Sequence, residues 1–146
     1  MNAIWHATRG IAYAAENRVK EAREELAAVA ALKDDPSLKT LFVSNVNSAA
    51  AIAAIAHEVL SGEIAVAERR SDEAARHFAA AVTLEDGLTY MEPPDWPIPV
   101  RELQGDALLA LGRTKDAEAA FRADLKKFPE NRWSLEGLRR VSKGAP

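Results

Sequence analysis

The stretch Gly105-Asp106-Ala107-Leu108-Leu109-Ala110-Leu111-Gly112-Arg113-Thr114-Lys115-Asp116-Ala117-Glu118-Ala119-Ala120-Phe121 decides the fold. Gly105 lies inside a helix, where glycine costs stability, so it belongs where a neighbouring helix comes close. Gly112 suits the position just past that helix's end. Thr114 suits the N-cap of the next helix. Ala117 then sits on the second helix at the same tight crossing, and Phe121, one turn later, fills the wedge beside it.

The same register recurs upstream. Gly10 precedes Ala22, Gly62 precedes Ala74 and Gly105 precedes Ala117, each by twelve residues. Leu26, Phe78 and Phe121 follow the alanines by four, and Tyr13, Ala65 and Leu108 follow the glycines by three. Turns fall at Glu16-Asn17-Arg18, Arg69-Arg70-Ser71 and Gly112-Arg113-Thr114, with Ser71 as a second N-cap. The chain is therefore read as all-α and one domain, 1–146. It has three helical hairpins at about 3–36, 47–87 and 98–129. Pro36 ends the first hairpin by pushing Asp35 out of the helical region. Ser37 to Val46 is a connector, and Gly87 to Ile98 an irregular loop beside Pro93, Pro94, Pro97 and Pro99. Asn131 caps a last helix, 132–143, which covers the end of the array.

Composition narrows the function classes. Apolar residues make up 48% of 146, much of it alanine, which favours closely packed helices over a sheet. Cysteine is absent, so there are no disulfides, thiolate nucleophiles or cysteine-held metals. The net charge of −3, from 19 basic and 22 acidic residues, offers no broad basic face to nucleic acid or anionic lipid. The start, Met1 to His6, lacks the pattern of a signal peptide. The apolar run Ala49–Ala56 is read as too short to span a membrane. The expected location is cytoplasmic.

These residues resemble the tetratricopeptide repeat. The last unit carries the pattern most fully, in Gly105, Ala117, Phe121 and Pro129. The middle unit has Gly62, Ala74, Phe78 and Ala81, and the first Trp5, Gly10, Tyr13, Ala22 and, less typically, Leu26. The spacing departs from the family's period of about 34 residues. Roughly 18 extra residues separate the first two units and roughly 9 the last two. Glu92-Pro93-Pro94-Asp95-Trp96 and Pro129-Glu130-Asn131-Arg132-Trp133-Ser134-Leu135 are also similar to segments near the C-terminus of larger bacterial tetratricopeptide proteins. The resemblance implies a short right-handed α-solenoid with a capping helix and a protein-binding groove.

In that family the first helix of each hairpin lines the groove. By register the lining is Ile4, Ala7, Ile11 and Ala14, then Ala56, Val59, Glu63 and Val66, then Glu102, Asp106 and Leu109. It is apolar at one end and acidic at the other, which points to an apolar or basic protein or peptide segment as partner. It lacks the Lys, Arg and Asn with which chaperone-binding relatives clamp a terminal carboxylate. Tyr90 and Trp96, on the stiff proline-rich loop, are candidates to dock into a partner, although so much apolar area on a loop is expected instead to fold back and seal the gap between hairpins two and three. No cofactor, catalytic residue or metal site is expected, because no paired-histidine, nucleophile-elbow or phosphate-loop motif is present. The alternative is a metal-dependent or hydrolytic site near His6, His57, Glu63 and Glu92. The helix around Ala49–Ala56 is apolar on all sides and must be covered by the inserts or by a second copy in a homodimer.

Overall fold

The structure, a computed structural model, describes residues 2–43 and 46–144. The chain is mostly helical, with α1 (Asn2–Ala15), α2 (Val19–Lys33), α3 (Ser37–Thr40), α4 (Ala49–Ala67), α5 (Ser71–Asp86), α6 (Val100–Ala110), α7 (Thr114–Lys127) and α8 (Arg132–Lys143). The all-helical expectation is corrected at one place. β1 (Phe42–Val43) and β2 (Asn47–Ser48) form a short antiparallel ribbon with Phe42 opposite Ser48. It lies in the connector, so no sheet forms a layer of the fold.

Helices α1 and α2, α4 and α5, and α6 and α7 pair as hairpins. Each hairpin rests on the next, through α1 and α2 against α4, then α5 and α4 against α6. Helix α8 packs on α7 and α6. Ala22, Ala74 and Ala117 are all fully buried at these junctions. At the small-residue crossings, a side chain on Gly62 would strike the Phe78 ring at 2.7 Å, and one on Gly105 the Phe121 ring at 2.4 Å. The first hairpin differs from expectation. A side chain on Gly10 would strike Leu60 of the next hairpin at 2.6 Å, and Leu26 stays half-buried. The filling side chain at this crossing comes from α4 instead of α2.

All three hairpin turns close alike. Asn17, Arg69 and Gly112 adopt left-handed backbone, with φ of 59°, 60° and 76°. The N–H groups of Arg18, Arg70 and Arg113 each donate to the carbonyl five residues back, on Tyr13, Ala65 and Leu108, at 2.8 Å. This ties off the carbonyls left open at a helix end. It also corrects the N-cap expectation. Arg70 and Arg113 are the caps, without a side-chain cap bond, and Ser71 and Thr114 are the first helical residues. The same arginine ends one helix and begins the next, so there is no room for a separate cap. Each arginine binds the acid three residues on: Arg18 to Glu21 at 2.9 Å, Arg70 to Glu73, and Arg113 to Asp116 at 2.7 Å. These acids sit in the first turn, where the helix dipole favours negative charge.

Helix α4 is the centre of the core. Its 19 residues are long and apolar enough in composition to cross a membrane, which corrects the shorter span expected from sequence, and more than half of it is buried inside the protein. Ile55, Ala56, Val59, Leu60 and Ala65 are sealed by α1, α2, α5 and α6. Its apolar circumference is thus largely covered within one chain. The proline-rich loop is clasped to it by Asn47. The Asn47 side chain donates to the Thr89 carbonyl at 2.9 Å and to Asp95 at 2.8 Å, and accepts from the Thr89 N–H at 2.9 Å.

Candidate functional site

The predicted groove residues divide sharply. Ala7, Ala14, Ala56, Val59 and Leu109 are buried in the core, which corrects their assignment to an open wall. The physical cause is direct packing of α1 on α4, and of α4 on α6. Small residues there mark helix crossings, and no partner reaches them. Ile4, Ile11 and Val66 are half-buried against the core, with Ile4 at the rim of an apolar cleft. That cleft, of about 640 Å³, lies between α1, the ribbon and the start of α4, under the exposed side chains of Leu41 and Phe42.

The acidic end of the predicted lining stays partly accessible. Glu63, on α4, is half-buried with no hydrogen bond or ion pair among the described residues. Burial, with the nearby charge of Asp106, pushes its carboxyl up to about 7. Asp106, on α6, is held by Arg140 of α8. Glu102, one turn before Asp106 on α6, is only 9% exposed. Its Oε2 accepts from Asn131 Nδ2 at 2.9 Å. The same amide donates to Asp124 at 2.7 Å, and Ser134 donates to Asp124 at 2.7 Å. Asn131 meanwhile accepts from the Trp133 N–H at 3.1 Å, capping α8. One amide thus bridges two carboxylates and starts the last helix. Burial holds Glu102 above the usual carboxylate range despite the Asn131 bond, and the charges of Asp124 and Asp106 add to the effect.

Above Glu102 opens a cavity of about 570 Å³, walled by Pro97, Pro99, Phe128 and Trp133. Trp133 is 71% exposed, and Ile98 stands exposed at the same rim. The Asn131–Trp133 segment and Phe128 went unread in the sequence as parts of a site. The signal available was Trp133 itself, a large aromatic two residues past a cap and outside the glycine–alanine register.

The loop residues part company. Trp96 folds inward and is 8% exposed, as expected. Tyr90 does not. It is 73% exposed, with its hydroxyl bonded to Glu92, because the Asn47 clasp turns the backbone at Thr89 and leaves the following residue outward. Glu85 anchors the loop's far end by accepting the Val100 N–H at 3.0 Å.

His6 and His77 serve as interhelical ties, and His57 bonds its own helix neighbour. His6 Nδ1 lies 2.6 Å from Glu25, which also binds Arg9 at 3.0 Å. His77 Nδ1 lies 2.7 Å from Glu58, whose other oxygen meets His57 at 3.1 Å. Against the opposing effect of burial, bonds from His77 and His57 hold Glu58 below the usual range. His6, His57, Glu63 and Glu92 therefore do not share bonds. His6 bonds Glu25, His57 bonds Glu58 and Glu92 accepts from Tyr90, while Glu63 bonds none of the described residues. Among the described residues, no group of three or more His, Asp or Glu is placed to hold a metal ion. His6 and Glu58 both stand four residues before a hairpin glycine, and Glu25 and His77 both fifteen after it. The same tie thus recurs with its two partners exchanged.

No family model, no curated protein and no solved structure matches the chain.

Proposed function

We propose that this chain is a non-catalytic binding module of tetratricopeptide type, a short right-handed solenoid of three hairpins capped by α8. It docks a protein segment combining basic and apolar side chains on the face formed by α4, α6 and the start of α8. One observation carries the reading. Most exposed carboxylates on hairpins one and three are paired with arginine or lysine, whereas the partly buried Glu63 and Glu102 have no cationic partner among the described residues. A carboxylate that is desolvated yet unpaired costs stability, and it is a common mark of a site completed by something else. Exposed Trp133 and Ile98 beside it supply the large apolar anchors that carry binding energy at protein interfaces.

The test is selection from a random peptide library displayed against the purified chain. Enriched peptides should carry lysine or arginine within a few residues of an apolar anchor. Glu63→Gln and Trp133→Ala should each weaken the selected peptides at least tenfold. Selection of acidic peptides, or no enrichment, would rule the reading out.

A second reading is favoured by the apolar cleft. Leu41 and Phe42, both more than half exposed beside it, fit self-association as a homodimer through the first hairpin and the ribbon. Light scattering giving the mass of one chain at all working concentrations would remove it.

A further inference from the structure

The cavity over Glu102 has a composition that narrows what it takes. Its lining includes two prolines, Phe128 and Trp133, together with Glu102, a residue only 9% exposed. Only Oε2 of that carboxylate is bonded, to a neutral amide. Among the described residues no cation lines the cavity, and the exposed Arg132 beside Trp133 borders a separate surface hollow. Arg101 and Lys127 bind Asp86, and Arg140 binds Asp106. The charges acting on Glu102 are those of Asp124 and Asp106, both negative. An apolar visitor would cover this carboxylate and leave it unpaired, and an anion would be repelled. A cation is attracted both by the carboxylate and by the ring faces, with tryptophan the strongest of the aromatic side chains in this respect. At the Phe128 ring, Lys127 Nζ already stands 5.7 Å from the ring centre while bound to Asp86.

We infer that this cavity is a pocket for a single cationic side chain of the partner, an arginine ahead of a lysine, stacked on Trp133 and paired with Glu102. Arginine is preferred because its planar guanidinium stacks on indole while its edge still reaches a carboxylate oxygen, and it sheds water more readily than an ammonium. Asn131 is the positioning residue. It holds Glu102 from one side and, through the Trp133 N–H, fixes the start of the helix that carries the wall. The inference rests on the binding-module reading and names the residue that such a partner inserts.

The probe is N-acetyl-arginine amide, titrated into the ¹⁵N-labelled chain, with N-acetyl-lysine amide and the uncharged N-acetyl-norleucine amide as comparison arms. The expected result is a saturable shift of the Trp133 indole N–H and the Asn131 side-chain amide with arginine, a weaker one with lysine and none with norleucine. Glu102→Gln should weaken the arginine response at least tenfold. Should that variant lose its folded spectrum, the exposed Trp133→Ser serves instead, with the Asn131 amide as reporter and the same loss expected. Equal shifts with norleucine, an unchanged response in the folded variant, or no shift with any probe would overturn the pocket. Such a failure, with basic and apolar peptides still selected from the library, would sink the pocket alone. Arginine binding here, with no peptide enriched, would sink the module reading alone.

Discussion

Replacing Gly105 by alanine is the sharpest test of how the hairpins close. In an open helix the change gains about 1 kcal/mol, because alanine is the better helix former. Here the added Cβ would fall 2.4, 2.5 and 2.7 Å from Phe121 Cε1, Cδ1 and Cζ. That is about 1 Å inside the favourable carbon–carbon separation. The ring cannot retreat, since a Cβ on Gly137 of α8 would meet the same ring at 2.4 to 2.7 Å from the other helix, and Phe121 is fully buried. Overpacking of this kind costs about 1–3 kcal/mol, more where the ring is clamped. The net expectation is a loss of about 1–2 kcal/mol, or roughly 3–6 °C in melting temperature for a chain of this size. Urea unfolding followed by circular dichroism gives the number. Phe121→Leu in the same background should recover part of the loss, with a coupling of about 1 kcal/mol or more in the double-mutant cycle. A Gly105→Ala chain that melts higher than the parent, or a cycle that is strictly additive, would refute the crossing.

Glu63→Gln should flatten the pH dependence of stability. The folded-state pKa of Glu63 is raised from 4.5 to about 7. Its contribution is therefore full below pH 4.5 and is lost as pH rises through 7, by about 2–3 kcal/mol once the partial exposure of the side chain is allowed for. Urea midpoints at pH 5 and pH 8 should thus differ less in the variant than in the parent, and equal differences would count against the burial of that carboxyl. Asn131→Ala removes the α8 cap and one of the donors to fully buried Asp124. Asp124 keeps its bond from Ser134, but Glu102 Oε2 loses its donor. Loss of a cap costs about 1 kcal/mol and an orphaned buried acceptor about 1–3, so denaturant melts should show a drop of about 2–4 kcal/mol. Gly112→Ala adds a side chain with nothing within 4 Å but at φ +76°, so its cost is conformational. A loss of about 1 kcal/mol is expected in thermal melts, and no loss would argue against the left-handed closure.

The helices were legible because their determinants are local. Gly62 with Phe78, and Gly105 with Phe121, sit at separations a single hairpin imposes, so spacing alone paired them. Gly10 escaped because its filler, Leu60, belongs to the next hairpin, and no spacing within the first hairpin reveals it. The arginine and acid of each turn were equally regular in the sequence but look like ordinary surface charges until the backbone shows one residue closing two helices. The groove was misread at Ala7 and Val59 because an apolar position on a first helix serves equally as an inner wall or as contact with the neighbouring hairpin. Only tertiary packing chooses, and it chose contact. Glu63, Glu102 and Asp106 were legible as carboxylates in otherwise apolar register. The pocket was not, since Trp133, Phe128 and Glu102 come from three segments joined through the side chain of Asn131.

Look-alike hairpins bring a hazard, since an early helix can nest against the wrong mate while the chain condenses. The exchanged histidine and glutamate answer it. Were α1 to settle on α5, His6 would meet His77. Were α4 to settle on α2, Glu58 would meet Glu25, setting two acids face to face in a half-dry seam. Only the native matches oppose unlike partners, so the polarity of each tie works as a key that rejects shuffled assemblies.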